Sequence, residues 1–199
     1  MYHFYVEPEA VTENIVRITG GDVNHIKNVL RMHPGEEIMI LDGSGMEYRC
    51  QIETISDEVL AKILEAKKTE AELSVRLLLF QGLPKKDKME LIIQKAVELG
   101  VSEIIPVLTK RTVVKLEDKK KEQKKLERWQ AIAESAAKQS KRVVIPKVNN
   151  IISYKEFLNK SEELSVLLVP YENKDGMKAT KEALKGIKPG DTVGIIIGP

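Results

Sequence analysis

Basic side chains are the residues of this sequence that point most directly to a chemistry, and they are concentrated in one segment. Between Lys85 and Lys147 the chain carries 17 Lys and Arg residues against 9 Asp and Glu residues, a net charge of +8, while the other residues together carry −6. Such a charge favours a partner that bears phosphate groups, such as RNA. A solvated helix face would account equally well for the lysines between Lys119 and Lys125, so both interpretations stay open.

Four basic residues lie at positions from which proteins often bind phosphate. His25 and Arg31 share the exposed side of a short predicted helix, and a guanidinium can bind a phosphate or a base edge through two hydrogen bonds. Lys85 and Lys88 lie where a predicted strand gives way to a helix, and helix N-termini favour anions. A solvated amphipathic helix and an ordinary solubilising loop are the competing interpretations.

Two further places in the sequence allow a functional and a structural interpretation. Lys141 and Arg142 follow a long predicted helix, where polar groups are candidate substrate contacts and helix capping is the alternative. Asp42-Gly43-Ser44-Gly45 could cradle a phosphate, although this composition is typical of a plain hairpin turn.

Familiar catalytic patterns are missing from the sequence. It contains no HExxH, GxSxG, Walker A or GxGxxG motif, and its three histidines are scattered, so we expect no metal site. The single cysteine, Cys50, excludes an internal disulfide framework. No stretch has the length and hydrophobicity of a membrane span or a secretory signal, so we expect a cytoplasmic protein with no membrane partner.

Short strands and turns are predicted for residues 1 to about 70. The apolar run Glu37–Leu41 and the alternating stretch Tyr48–Ile55 are typical of strands, and Tyr48, Cys50 and Ile52 should face a core. A short helix is predicted to begin at an N-cap at Asp22 and to be ended by Pro34-Gly35. With the following strand, these elements predict a small barrel.

The composition changes after a polar linker at residues 67–72, and strands then alternate with helices. This alternation predicts an α/β domain with a mainly parallel sheet. Loops at the carboxyl ends of such strands converge on a ligand crevice. The predicted strands are Val75–Phe80, Ile104–Leu108, Val143–Ile145, Ser165–Val169 and Thr192–Ile197, and the helices run from about Lys86 to Gly100, Lys119 to Ser140 and Met177 to Leu184.

The end of the chain is unusual for such a domain. Val193–Ile197 has the composition of a buried strand, yet only Gly198 and Pro199 follow it. A parallel α/β domain rarely stops at that point, so we expect the natural protein to continue.

Taken together, these residues resemble the ribosomal RNA small subunit methyltransferase E family, the 16S rRNA (uracil-N3)-methyltransferases. The resemblance covers nearly the whole chain, and the order and spacing of its motifs make it specific. The matching residues are His25, Val29-Leu30-Arg31 and Gly35, then Lys86, Lys95 to Val101, Pro106, Thr109 and Arg111, and finally Arg128-Trp129, Glu134, Ala136-Ala137, Gln139-Ser140, Arg142 and Ile197-Gly198-Pro199.

The resemblance implies an α+β chain of two domains. Residues 1–70 would form a PUA-like RNA-binding β-barrel, and residues 73–199 a SPOUT α/β trefoil-knot methyltransferase domain whose knot is incomplete in this chain. The implied activity is methylation of N3 of a specific uridine in 16S rRNA of the small ribosomal subunit, with S-adenosyl-L-methionine as cofactor. The implied assembly is a homodimer.

Carried over residue by residue, the resemblance also implies two sets of site residues. The cofactor would be bound by Pro170, Tyr171, Glu172, Ile197, Gly198 and Pro199. The RNA would be bound by His25, Arg31, Lys85, Lys88, Arg111, Lys141 and Arg142. The sequence identifies no general base for the N3 proton, and a non-catalytic RNA-binding ribosome assembly factor is the alternative function.

Overall fold

The computed structural model describes residues 1–69, 72–85, 88–110, 119–171 and 178–199. The chain divides into two compact units, each with its own sheet. The first unit comprises Met1–Glu72 together with Lys141–Ile145, and the second comprises Leu73–Ser140 together with Pro146–Pro199.

The sheet of the first unit has five strands in the order β1-β3-β4-β5-β2. β1 runs parallel to β3, and the other neighbouring pairs are antiparallel. The predicted alternation in β4 is confirmed, because Cys50 and Ile52 are buried and Tyr48 packs against the same core. The strands are β1 (His3–Tyr5), β2 (Ile15–Ile18), β3 (Glu37–Leu41), β4 (Met46–Ile55) and β5 (Val59–Lys68).

A short helix crosses between β2 and β3. The α-helical turn α1 (Gly21–Asn24) continues as a π-helical turn over His25–Val29, in which the Leu30 N–H donates to the His25 carbonyl at 2.8 Å. The helix begins one residue before the predicted N-cap Asp22, and no side chain caps it, so that detail of the prediction was wrong. Val23 and Ile26 anchor the helix in the core of the unit.

The main path of the second sheet is β10-β11-β6-β7-β8, with β9 also paired to β7, and every pair is parallel. This arrangement confirms the prediction of a mainly parallel sheet. The strands are β6 (Arg76–Gly82), β7 (Glu103–Leu108), β8 (Lys147–Val148), β9 (Ile152–Ser153), β10 (Val166–Leu168) and β11 (Thr192–Ile197), and the helices are α2 (Lys88–Glu98), α3 (Lys119–Gln139), α4 (Tyr154–Ser161) and α5 (Lys178–Lys185). Among the described residues, no helix has the length and apolar character needed to span a membrane.

The region after α3 differs from the prediction. The strand expected at Val143–Ile145 is absent: Val144 makes only an isolated antiparallel bridge to Ser44, and the nearest strand of the second sheet is β8. Apolar character there reflects packing in the first unit, with which residues 141–145 cluster. β9 and α4 were not predicted from the sequence either.

A local signal for α4 is present in the sequence. Ser153 and Glu156 have the spacing of a capping box, in which each side chain accepts a hydrogen bond from the other's backbone N–H. The structure contains both bonds, from the Glu156 N–H to Ser153 Oγ at 3.2 Å and from the Ser153 N–H to Glu156 Oε2 at 2.7 Å. Hydrogen bonding with the Ser153 side chain and, second, with the Ser153 backbone lowers the pKa of the Glu156 carboxyl group.

Candidate functional site

The carboxyl ends of three neighbouring strands lie at one edge of the second sheet. β11 lies between β10 and β6, with Leu168 paired to Ile195 and Gln81 paired to Ile197. The segments that follow these strands therefore emerge side by side, which is the arrangement that forms ligand crevices in parallel sheets. We call this region the carboxyl edge.

The sequence-predicted cofactor residues fall at the carboxyl edge wherever the structure describes them. Pro170 and Tyr171 follow β10, and the Tyr171 side chain is largely exposed. Ile197 ends β11, and Gly198 and Pro199 follow it as exposed residues. Glu172 lies outside the described residues. The structure thus brings together the ends of two strands that are distant in the chain, because Leu168 pairs with Ile195.

The end of β6 packs closely against the end of β11. A Cβ atom added at Gly82 would lie 2.9 Å from the backbone nitrogen of Pro199 and 3.1 Å from the carbonyl carbon of Gly198. Separations this short do not occur for a real side chain, and backbone atoms cannot swing aside as a flexible side chain can. Glycine is therefore required at position 82 for the two backbone segments to approach.

Gln81 ties the same two segments together. Its side-chain Nε2 donates to the carbonyl of Gly82 at 2.9 Å and to the carbonyl of Gly198 at 3.0 Å. The residue is only 2% exposed. Gln81 was not predicted from the sequence, although one signal is present: it is a polar residue directly after the apolar run Leu77–Phe80 of a buried strand.

Gly198 presents open backbone at the carboxyl edge. No heavy atom of the described residues lies within 4 Å of a Cβ built at this position, and its φ lies outside the left-handed region. Neither packing within the described chain nor backbone conformation therefore requires glycine here. A residue without a side chain allows a ligand to approach its backbone closely.

An apolar cavity of about 330 Å³ adjoins the carboxyl edge within the second unit. Gln81 and Ile197 form part of its wall at the edge, and β6, β11 and α2 supply the rest. The cavity provides apolar surface as far as Ile197, the residue before Gly198, and apolar cavities with a few polar groups are typical of sites for small organic ligands. Its other lining residues are Leu77, Leu78, Leu79, Ile92, Lys95, Ala96, Leu99, Val101 and Ile195.

Two sequence-predicted RNA residues of the first unit share an unusual backbone conformation. Arg31 has φ +52° and Lys141 has φ +55°, and they are the only non-glycine residues with positive φ in the described part of the chain. Both side chains are exposed. Side chains in this conformation carry a conformational cost, and such costs concentrate at functional positions.

His25 and Lys141 each lie close to an aromatic side chain of the first unit. The exposed His25 belongs to the π-helical turn, and its ring packs edge-on against Phe4 with 6.1 Å between the ring centroids. Lys141 lies near His3, whose pKa is lowered mainly by burial and further by the charge of the Lys141 ammonium group. The first unit thus carries exposed basic groups on two separate segments of the chain.

Arg142 differs from the other predicted RNA residues because it is buried. It is 8% exposed, and its Nε donates to Glu72 Oε2 at 3.2 Å. Glu72 also accepts hydrogen bonds from the backbone N–H groups of Val143 and Val144. Burial and, second, the charge of Glu72 raise the pKa of nearby Tyr5 to about 12. This network holds residues 141–145 in the first unit.

The remaining predicted RNA residues belong to the second unit. Lys85 is exposed in the loop after β6, and Lys88 is exposed at the first residue of α2. Arg111 lies outside the described residues. Within the described part of the chain, no group of three or more His, Cys, Asp or Glu side chains could hold a metal ion.

The Asp42–Gly45 segment is confirmed as a hairpin turn between β3 and β4. The Asp42 carboxylate is buried and accepts hydrogen bonds from the backbone and hydroxyl group of Ser44, the Met46 N–H and the Tyr48 hydroxyl group. These bonds occupy both carboxylate oxygens within the turn.

Comparison with known proteins gives matches over both units. An RNA methyltransferase domain model matches residues 71–199, and an RNA methyltransferase PUA domain model matches residues 18–64. The ribosomal RNA small subunit methyltransferase E of Bacillus subtilis is 38% identical over 186 residues, which cover 92% of this chain and 72% of that protein.

Solved structures give the same picture. The ribosomal RNA small subunit methyltransferase E of Neisseria gonorrhoeae, bound to S-adenosyl methionine, is 33% identical with a TM-score of 0.75, and the match covers 100% of this chain and 80% of that one. A methyltransferase structure from Legionella pneumophila in complex with the same cofactor is 26% identical with a TM-score of 0.77, over 99% of this chain and 79% of that one.

Proposed function

Since the chain belongs to the ribosomal RNA small subunit methyltransferase E family, we propose that it transfers a methyl group from S-adenosylmethionine to N3 of a uridine in 16S rRNA. The observation that carries this proposal is the open backbone of Gly198, held beside the buried Gln81 at the carboxyl edge. The N. gonorrhoeae relative is bound to the same cofactor.

The residues at the carboxyl edge fit this cofactor. S-adenosylmethionine supplies a methyl group on a positively charged sulfur atom and carries a flat adenine ring. Gly198 allows a ligand to approach its backbone closely, and the apolar cavity that Ile197 lines offers surface for a ring. We assign cofactor binding to Pro170, Tyr171, Glu172, Ile197, Gly198 and Pro199.

Orientation is the main contribution that these residues make to the reaction. Alignment of two reactants can supply roughly 7–11 kcal/mol of a reaction barrier. The close contact of Gly82 with Gly198 and Pro199 fixes one side of the carboxyl edge. A rigid edge limits the directions in which a bound methyl group can face the uracil ring.

RNA binding is assigned to basic residues in both units. We propose that His25, Arg31 and Lys141 of the first unit, and Lys85, Lys88 and Arg111 of the second, contact phosphates or base edges. Arg142 has its guanidinium in the Glu72 network. We therefore give it the role of holding the segment that carries Lys141.

We extend the proposal to the finer features that the family resemblance implies. The first unit would be a PUA-like barrel, and the second a SPOUT domain with a trefoil knot. The protein would act in the cytoplasm as a homodimer on 16S rRNA in the small ribosomal subunit.

Methyl transfer to subunits that lack the modification tests the proposal. The protein is incubated with labelled S-adenosylmethionine and such 30S subunits, and the labelled nucleoside is identified by mass spectrometry. We expect 3-methyluridine. A ribose-methylated nucleoside would contradict the N3 assignment, and tight RNA binding without transfer would favour a non-catalytic assembly factor.

A further inference from the structure

We propose that Gln81 is a positioning residue for the cofactor: its amide group fixes the backbone of Gly198 from inside the sheet. This inference rests on the proposed function, and it adds a residue that does not belong to the predicted binding set. Gln81 acts through Gly198.

The geometry gives the Gln81 amide two simultaneous tasks. Its Nε2 lies 2.9 Å from the Gly82 carbonyl oxygen and 3.0 Å from the Gly198 carbonyl oxygen. A primary amide nitrogen carries two N–H groups, so one side chain can serve both acceptors. Because both partners are carbonyl oxygens, the nitrogen and not the oxygen of the amide must face them.

The position of Gln81 in the strand argues that this amide is present for its hydrogen bonds. Burying an amide costs free energy unless its polar atoms are paired, and Gln81 is 2% exposed. Its neighbour Phe80 is fully buried in an apolar cluster, and Leu79 lines the apolar cavity. An apolar side chain of similar length would fill the same volume without that cost.

The contact between Gln81 and Gly198 joins residues that are 117 positions apart in the chain. Gly82 makes the contact possible, because its missing Cβ lets Gly198 and Pro199 approach the end of β6. The Gly198 carbonyl is therefore held by Gln81, while no described atom fills the space where a side chain would lie. A backbone fixed before binding loses little freedom when a ligand arrives, and this preorganisation raises affinity.

A pair of matched substitutions tests the proposal. Gln81→Met keeps the length of the side chain and removes both N–H groups. Gln130→Met makes the same change in α3, where the Gln130 side chain bonds the Pro146 carbonyl at 3.3 Å and the Val148 N–H at 2.9 Å. These bonds reach β8, which pairs with the beginning of β7, at the other end of the strands.

Binding of S-adenosylmethionine is measured by calorimetry, and methyl transfer to 30S subunits gives KM and kcat. We expect Gln81→Met to raise Kd and KM for the cofactor about tenfold, the effect of one hydrogen bond to a buried group, with kcat at saturating cofactor within about twofold. Gln130→Met should lower Tm and leave both constants within about twofold of the unsubstituted protein.

Gln81→Glu supplies a second readout, the pH dependence of cofactor affinity. An ionised carboxylate cannot donate to the two carbonyl oxygens, whereas a protonated carboxyl group can donate to one. The cofactor affinity of this variant, relative to the unsubstituted protein at each pH, should therefore improve as the pH falls. A ratio that does not change with pH would contradict the role of Gln81 as a donor.

The outcomes separate this inference from the proposed function. Binding by the unsubstituted protein with an unchanged Kd in Gln81→Met would overturn the positioning role and leave the proposed function standing. Equal weakening by Gln130→Met would also overturn it, because general destabilisation would then explain the effect. Failure of the unsubstituted protein to bind S-adenosylmethionine would overturn the proposed function itself.

Discussion

The two units present their candidate sites in different ways. At the carboxyl edge of the second unit, the parts that matter are backbone and a buried amide: Gly82, Gly198 and Gln81. In the first unit they are long charged side chains such as Arg31 and Lys141, which are exposed. Binding that depends on backbone shape and fixed dipoles weakens strongly after a small steric change. Binding through exposed charges weakens gradually as charges are removed or salt is added.

Arg142 tests this comparison, because it is a basic residue of the first unit that is not exposed. Arg142→Met leaves the half-buried Glu72 carboxylate without its guanidinium partner, and we expect the free energy of unfolding to fall by about 3 kcal/mol. Urea denaturation measures this loss.

Arg31→Met is the matched control for Arg142→Met. Arg31 is exposed, so we expect unfolding to change by less than about 0.5 kcal/mol, while the slope of log affinity for RNA against log salt concentration falls by about 1. If Arg142→Met changed the salt slope and Arg31→Met did not, the assignment of the two arginines would have to be reversed.

Gly82→Ala tests whether the close packing at the carboxyl edge of the second unit is needed for cofactor binding. The added Cβ would meet the backbone of Gly198 and Pro199 at 2.9 to 3.1 Å, so we expect a loss of about 2 kcal/mol in stability and at least tenfold weaker cofactor binding. Calorimetric titration and thermal unfolding measure the two effects.

Gly186→Ala is the control for that steric effect. Its Cβ would lie 3.4 Å from the Ala183 carbonyl oxygen, an ordinary contact, and its φ is not in the left-handed region. We expect normal cofactor affinity for this variant. Normal affinity in Gly82→Ala as well would show that the carboxyl edge is more adaptable than its packing indicates.

The smallest expected effect concerns alkaline pH and the core of the first unit. Burial raises the pKa of the Cys50 thiol from 9.0 to about 12. A pKa raised on folding contributes stability that is complete below pH 9 and is lost as the pH rises toward 12. We expect the free energy of unfolding to fall by roughly 1 kcal/mol by pH 10 from this group.

Cys50→Ala provides the comparison for the alkaline effect. Removing the thiol should lower stability at neutral pH, because it leaves a small cavity in the core, and should flatten the decline between pH 8 and pH 10. Tyr5, with a pKa of about 12, would still contribute a decline at higher pH. An unchanged pH profile in Cys50→Ala would show that Cys50 is not the titrating group.

Local residue patterns predicted most of the strands and helices. In β4, the alternation of Tyr48, Cys50 and Ile52 identifies a strand, because successive side chains of a strand point to opposite faces of the sheet. In β6, the continuous apolar run identifies a strand that is covered on both faces. The same reasoning failed at Val143–Ile145, where apolar residues pack in the first unit without joining a sheet. Apolar composition indicates that a segment is buried, but it does not indicate which part of the protein the segment packs against.

The candidate cofactor site was predicted in part. The family motif at the end of β11 identifies Gly198 and Pro199, and the rule for parallel sheets places the segment after β10 beside them. Gln81 was not predicted, because its partner Gly198 is 117 residues away and no local rule connects them. The pairing of Arg142 with Glu72, 70 residues apart, was missed for the same reason.

The sequence by itself therefore determined the two kinds of sheet, most helices and strands, and the family to which the chain belongs. Periodic burial, turn chemistry and motif spacing are local properties, and they can be read along the chain. Only the tertiary structure decided that β11 lies between β10 and β6, that Gln81 holds Gly198 and that Arg142 is buried. These features depend on contacts between distant segments, which form when the chain is folded and are not encoded in any single stretch of it.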